Sequence, residues 1–131
     1  MRKSALILAA VAAVLSTAPA SARTRLTGEQ QLAKLIGGRV AGKPESCIST
    51  FSQGNLRVLD GTALVYDAGR TIWVNRPDDA RNLDDDDILV THNTMAGQLC
   101  RLDIVRTVDR GGHFPTGFIS LGDFVPYRKA S

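Results

Sequence analysis

The hydrophobic residues of this chain are distributed in three ways: one uninterrupted run, one helical face, and then a series of short β-type runs. The uninterrupted run covers residues 5–15, follows two cations, and is succeeded by Ala-Ser-Ala ending at Ala22. A positive start, an apolar stretch and a small-residue cleavage site are the three parts of an export signal. The run is also shorter than the roughly 20 residues that a membrane-spanning helix needs. We therefore predict a cleavable signal peptide over residues 1–22 and a single mature domain over residues 23–131.

The helical face lies in residues 27–36, TGEQQLAKLI. Thr27 and Gln30 have the spacing of a capping box, and the two leucines and the isoleucine that follow share one face. Two glycines then favour an end to the helix. Because ten residues are too few for a stable helix in water, we expect this one to lie across a sheet or to plug one end of a barrel.

From residue 47 onward the chain consists of short β-type runs bounded by turn residues. Three runs over residues 55–75, the first two separated by Asp60 and Gly61, predict a three-stranded meander. Further strands are predicted over residues 88–91, 99–108 and 117–121. The pattern indicates a mainly β domain, a small antiparallel barrel or sandwich of OB-like or SH3-like type, with one short N-terminal helix.

An acidic segment, residues 75–87, separates the meander from the later strands and contains six aspartates. Asp84 and Asp86 are the metal candidates in it, since hard cations such as calcium prefer several oxygen ligands. The segment lacks the spacing and the glycine of a calcium loop, and successive side chains of an extended run alternate sides. We therefore predict a solvated loop without a metal or cofactor, in which Asp85 and Asp87 are candidate binding residues.

Aromatic residues could form a second recognition surface, although burial in the core is the preferred interpretation, because a small domain needs its large aromatics for burial. Trp73 points away from its neighbours Ile72 and Val74 if the run is a strand. It is therefore either covered by the helix or available to a ligand. The set is Tyr66, Trp73, Phe114, Phe118, Phe124 and Tyr127.

The net charge bears on the class of partner. The whole chain has a formal net charge of +3 from 16 Lys and Arg against 13 Asp and Glu. Removing the predicted signal removes two of these cations and no acid, which leaves 14 against 13, or +1. Phosphate-backbone binding needs clustered, uncompensated cations. We therefore expect no nucleic-acid partner, and no stable membrane anchor once the signal is cleaved.

The chain has two cysteines, Cys47 and Cys100. In the oxidising compartment to which the signal directs the chain, such a pair predicts a disulfide. The alternative is a pair of free or metal-binding thiols. Closing so long a loop stabilises a fold by about 4 kcal/mol in the chain-entropy description.

No catalytic motif is found in the sequence. His92 and His113 are the two histidines, and neither lies at helical spacing from the other or from a cysteine. Ser49, Ser52 and Ser120 lie in no G-x-S-x-G turn. An enzyme is therefore not predicted, and a small periplasmic hydrolase stays an alternative that depends on spatial geometry.

Three segments, GRVAGKPESCIS at 38–49, LCRLDIVRTVD at 99–109 and GFISLGDFVPYRK at 117–129, carry a resemblance that covers nearly the whole mature chain. With them the chain resembles small secreted proteins of alphaproteobacteria that carry no assigned activity. The resemblance implies a periplasmic or secreted location and a cysteine-linked β domain, and it brings no catalytic or binding residue.

From these features we expect a non-enzymatic module that binds or stabilises another envelope protein or a cell-wall component. The first alternative is an inhibitor of a secreted hydrolase that inserts the loop 76–87 into the enzyme's cleft. The second alternative, from another class, is the small hydrolase named above. The oligomeric state is left open, because strand edges can pair between copies.

Overall fold

The computed structural model describes residues 23–52, 54–92 and 95–131, so the predicted signal peptide lies outside the described residues. The described chain is mainly β with one helix, as the sequence predicted. Its elements are α1 (Gly28–Ile36), β1 (Arg39–Ala41), β2 (Cys47–Ser49), β3 (Asn55–Leu59), β4 (Ala63–Asp67), β5 (Thr71–Asn75), β6 (Ile88–His92), β7 (Gln98–Cys100), β8 (Ile104–Val108), β9 (Pro115–Ser120) and β10 (Phe124–Lys129).

Helix α1 begins with the predicted capping box. The amide of Gln30 donates to the Thr27 hydroxyl at 3.2 Å, and the Thr27 amide donates to Oε1 of Gln30 at 3.0 Å. Gly28 packs against the turn between β3 and β4 so closely that a Cβ there would collide with the Asp60 carbonyl and the Thr62 side chain. The first turn of the helix is therefore fixed both by its cap and by this close approach.

The strands form three antiparallel sheets. A five-stranded sheet has the order β1-β10-β5-β4-β3, a two-stranded sheet pairs β2 with β7, and a three-stranded sheet has the order β6-β8-β9. The predicted meander over residues 55–75 is confirmed as β3-β4-β5. The OB-like or SH3-like barrel is not formed by the described strands, because β1 and β3 end the large sheet without pairing to each other or to another sheet.

One predicted strand needs correction, and two observed strands were not predicted. The run 99–108 is two strands, because residues 101–103 form a turn between β7 and β8 in which the Asp103 amide donates to the Cys100 carbonyl at 3.1 Å. The buried Asp103 carboxylate also accepts from the Cys100 amide at 2.7 Å. Strands β1 and β10 were not predicted, since β1 is short and mostly exposed and β10 contains Pro126.

The five-stranded sheet is covered on both faces. One face packs against α1 through a cluster of buried residues: Leu32, Leu59, Ala63, Val65, Ile72 and Val74. The other face packs against the two smaller sheets through a second cluster: Ile48, Leu64, Tyr66, Leu83, Leu99, Val105, Ile119, Leu121 and Phe124. The smaller sheets therefore form a layer opposite the helix, with the large sheet between them.

Candidate binding surface

The three-stranded sheet is covered on one face only. Its inner residues Leu89, Val105 and Ile119 pack against the core cluster between the sheets. The alternation of side chains along β6, β8 and β9 turns the intervening residues away from that core. We call these intervening residues the outer face: Ile88, Val90, His92, Ile104, Arg106, Val108, Pro115, Phe118 and Ser120.

Most outer-face residues are apolar, although the face is open to solvent. The exposed fraction of the residue is 64% for Phe118, 44% for Val90 and 42% for Ile104. Together with Arg106, Val108 and neighbouring residues they line a shallow cavity of about 770 Å³. The exposed face of an antiparallel sheet is ordinarily polar, so an apolar patch here indicates a surface that another molecule covers.

Arg106 lies at the centre of this face. The strand register places it between Val90 on β6 and Phe118 on β9. It is the charged residue that lines the cavity, and no carboxylate among the described residues forms an ion pair with it. The outer face thus offers a partner one unpaired guanidinium surrounded by apolar side chains.

The acidic loop is tied to the body of the domain rather than projecting from it. Leu83 is buried, and its carbonyl accepts from the Gly61 amide at 3.0 Å. The Asp85 amide donates to Oδ1 of Asp60 at 2.7 Å, and the Asp85 carboxylate pairs with Arg25. The predicted solvated loop is therefore exposed along its aspartates but fixed in its backbone.

Two further aspartates of the loop make hydrogen bonds of their own. The Asp86 amide donates to Oδ1 of Asp84 at 2.8 Å, which closes a turn. The Asp87 carboxylate accepts from the Thr116 hydroxyl at 2.6 Å, so it links the loop to β9. Both contacts give these residues structural roles.

Asp84 and Asp86, the predicted metal candidates, are not brought together as a pair of ligands. The carboxylates that converge are those of Asp60, Asp84 and Asp85, all exposed. The Arg25 guanidinium already lies against them, 3.4 Å from Asp60 and in contact with Asp85. The hydrogen bond that Arg25 donates to Asp85 and the nearby negative charges raise the pKa of Arg25, so this cluster has a side-chain counter-ion.

Trp73 is half-buried and packs against the core cluster between the sheets. Of the two alternatives for Trp73, cover by the helix is not found, because α1 lies on the other face, over Ile72 and Val74. The guanidinium of Arg128 lies 5.8 Å from the centre of the Trp73 ring. Of the remaining predicted aromatic surface, Phe114 and Phe118 are exposed, whereas Tyr66 and Phe124 are buried.

The geometry gives no support to a hydrolase. His92 ends β6 and His113 lies in the turn before β9. No hydrogen bond within the described residues joins either imidazole to a serine, threonine or aspartate. Ser120 lines a polar cavity of about 390 Å³ together with Arg76 and Asp123, and no histidine lines that cavity.

The disulfide between Cys47 and Cys100 is confirmed. The two residues face each other in the pairing of β2 with β7, with their Cα atoms 4.0 Å apart. Their neighbours Ile48 and Leu99 lie in the core cluster between the sheets. The disulfide therefore holds together the two-stranded sheet that completes this cluster.

No protein-family model, no curated protein and no solved structure matches this chain. The resemblance to small secreted proteins of alphaproteobacteria stays a prediction. The described part of the chain contains no helix long and apolar enough to cross a membrane.

Proposed function

We propose that this chain is a non-enzymatic binding module of the bacterial envelope, periplasmic or secreted, which holds a partner protein on the outer face of its three-stranded sheet. The observation that carries the proposal is the apolar character of that face: six of its nine residues, Phe118 foremost, are hydrophobic and face away from the core. The export signal and the disulfide support the location, since disulfides persist in oxidising compartments.

The partner is a different protein with an apolar patch and a carboxylate. A second copy of the chain would bring Arg106 against Arg106 near the centre of a two-fold contact, where like charges repel. A carboxylate on another protein would instead form a bidentate pair with this guanidinium. Three strands of five or six residues project over roughly 250 Å², against roughly 800 Å² per partner in a standard interface. The outer face alone therefore favours a transient complex.

Site-specific crosslinking tests this proposal. A photoreactive phenylalanine analogue in place of Phe118 is compared with the same analogue in place of Phe51, which is 93% exposed but lies outside the outer face. After irradiation of cells that export the protein, we expect a crosslink to one acidic partner from position 118 and not from position 51. Equal crosslinking from both positions, or crosslinks to a second copy alone, would contradict the proposal.

A charge reversal then tests the chemistry of the contact with the purified partner. We expect Arg106→Glu to weaken binding at least about tenfold, because it removes a charge-assisted pair and adds repulsion. Arg57→Glu is the matched control, since Arg57 is exposed on β3, an edge of the other sheet. Binding to phosphatidylglycerol vesicles that depends on Phe118, without a protein partner, would overturn the proposal in favour of a membrane surface.

The inhibitor alternative stays a prediction. The loop 76–87 has a fixed backbone, but the carboxylates of Asp85 and Asp87 are engaged with Arg25 and Thr116 of the same chain. Insertion of these carboxylates into a basic cleft would have to break both contacts.

A further inference from the structure

The charges of this nearly neutral domain are separated to opposite ends of the five-stranded sheet. The strand register places Thr71 of β5 beside Arg128 of β10, and Arg39 of β1 beside Lys129. At the other end of β5, roughly 15 Å away along the strand, the chain continues from Asn75 into the acidic loop. The domain therefore has a net charge near zero although one end of its five-stranded sheet is cationic and the other is anionic.

The cationic end contains an open cleft of about 760 Å³. Arg70, Arg128 and Lys129 line it, together with Gly69 and the residue Thr71. We call this the basic cleft. Its three cations come from the turn after β4 and from the last residues of β10, so the register of β10 against β5 brings them together.

These cations have no carboxylate partner in the part of the chain that the structure describes. The ion pairs found there involve Arg25, Arg76 and Arg101. Asp67 is the carboxylate closest in sequence, and it accepts from the Gly69 amide at 2.9 Å without lining the cleft. Cations gathered without counter-ions repel each other, and a bound anion removes that repulsion.

Arg39 of β1 contacts the turn that forms one side of the basic cleft. Its guanidinium donates to the Arg70 carbonyl at 3.0 Å and to the Gly69 carbonyl at 3.2 Å. The turn that carries Arg70 is thereby held in place by a fourth cation. Arg128 is positioned in turn by its contact with the Trp73 ring, 5.8 Å away. The backbone of the turn and the guanidinium of Arg128 are therefore each held by a contact within the domain.

We infer that the basic cleft binds a phosphoryl group. A carboxylate carries one charge and is satisfied by one guanidinium, whereas a phosphate carries up to two charges and three terminal oxygens that accept from several directions. Three cationic residues that line one cleft, with a neighbouring hydroxyl, match the second geometry better than the first. The site lies on the other sheet from the outer face, so it does not rest on the proposed function.

Trp73 supplies a reporter, because it is the chain's one tryptophan and lies beneath Arg128. The mature protein is titrated at low ionic strength with inorganic pyrophosphate while tryptophan fluorescence is recorded, and sedimentation with phosphatidylglycerol vesicles is measured in parallel. Saturable binding of pyrophosphate alone identifies a soluble phosphoryl ligand. Binding to the vesicles alone identifies a lipid headgroup. Both results support the basic cleft if the substitutions below abolish them.

The double variant Arg70→Gln/Lys129→Gln removes two cleft cations without altering Arg39 or Arg128. We expect it to bind at least about tenfold more weakly, with an unchanged thermal unfolding midpoint. The matched control Lys34→Gln/Arg57→Gln removes the same charge from residues that line a different cavity, beside α1. The inference is overturned if neither probe binds, or if the control weakens binding as much as the cleft variant does.

Discussion

The two larger sheets of this domain differ in how far their apolar residues are buried. In the five-stranded sheet, four of the five residues of β4 are buried, because α1 covers one face and the smaller sheets cover the other. In the three-stranded sheet, burial alternates along β8, with Val105 and Thr107 inside and Ile104 and Arg106 outside. In the five-stranded sheet the apolar residues form the core. The three-stranded sheet also has apolar residues that the core does not cover.

The outer face is in fact richer in hydrophobic residues than the inner face of the same sheet. The inward-directed positions are Leu89, Thr91, Val105, Thr107 and Ile119, of which Thr91, near the end of β6, is exposed. Outside, most positions are apolar and the cation Arg106 is central. Folding alone would favour the opposite arrangement, since burial of apolar area stabilises the domain. This difference between the sheets is the basis for assigning the outer face to a partner.

The largest loss of stability is expected when the disulfide of the two-stranded sheet is removed. Replacement of both cysteines, Cys47→Ser with Cys100→Ser, should lower the free energy of unfolding by about 4 kcal/mol, because the unfolded chain regains the entropy of an open loop. Denaturant unfolding under non-reducing conditions measures it. A loss below about 1 kcal/mol would mean that packing of Ile48 and Leu99, rather than the disulfide, holds the two-stranded sheet in place.

The next effect tests whether both faces of the large sheet are covered. Leu64 and Val65 are adjacent in β4, face opposite sides, and are both fully buried. Leu64→Ala and Val65→Ala should each lower the free energy of unfolding by about 2 to 4 kcal/mol, since each leaves a cavity. If one of the two costs less than about 1 kcal/mol, the sheet is covered on one face only and the contrast between the sheets is lost.

A smaller loss of stability is expected when the hydrogen bonds between the end of β5 and the segment before β10 are removed. The buried side chain of Asn75, at the end of β5, donates to the Gly122 carbonyl at 2.7 Å and accepts from the Gly122 amide at 2.9 Å. Asn75→Ala leaves both backbone groups unpaired and should cost about 2 kcal/mol. Asn82→Ala, at an exposed position, is the control and should leave the unfolding free energy within about 0.5 kcal/mol.

The smallest effect concerns the ion pair that ties α1 to the acidic loop. Arg76 donates to both oxygens of Glu29, and this hydrogen-bonded pair lowers the pKa of Glu29 below its ordinary value. A lowered pKa stabilises the fold above the unfolded value and loses that contribution as the pH falls through the folded value. Glu29→Gln should therefore flatten the stability profile below about pH 4.5, as measured by denaturant unfolding at a series of pH values.

Much of the fold could be predicted from local patterns, because its causes are local. The capping box at Thr27, the meander over 55–75 and the pairing of Cys47 with Cys100 depend on short spacings or on composition. The outer face could not be predicted in the same way. The run at 104–108 has an isoleucine, an arginine and a valine on one side and a valine and a threonine on the other, so Arg106 indicates the exposed side whereas the apolar residues do not.

The basic cleft could not be predicted for a related reason. Arg70 and Lys129 are 59 positions apart in the sequence, and only the pairing of β10 with β5 brings them to one cleft. Because net charge sums over the whole surface, the near neutrality of the mature chain favoured the absence of a cation cluster. The structure places a cationic cleft at one end of the five-stranded sheet and the acidic loop at the other, and the absence of a nucleic-acid partner stays a prediction.

The central claim, that the outer face is an open surface and not a part of the folded core, is tested most directly by two adjacent residues of β9. Ile119 is fully buried and Phe118 is mostly exposed. The free energy of unfolding is measured for Phe118→Ala and for Ile119→Ala in the purified protein. We predict a change within about 0.5 kcal/mol for Phe118→Ala and a loss of about 2 to 4 kcal/mol for Ile119→Ala. Similar losses for both would contradict the account, because they would show that the folded domain itself already covers Phe118.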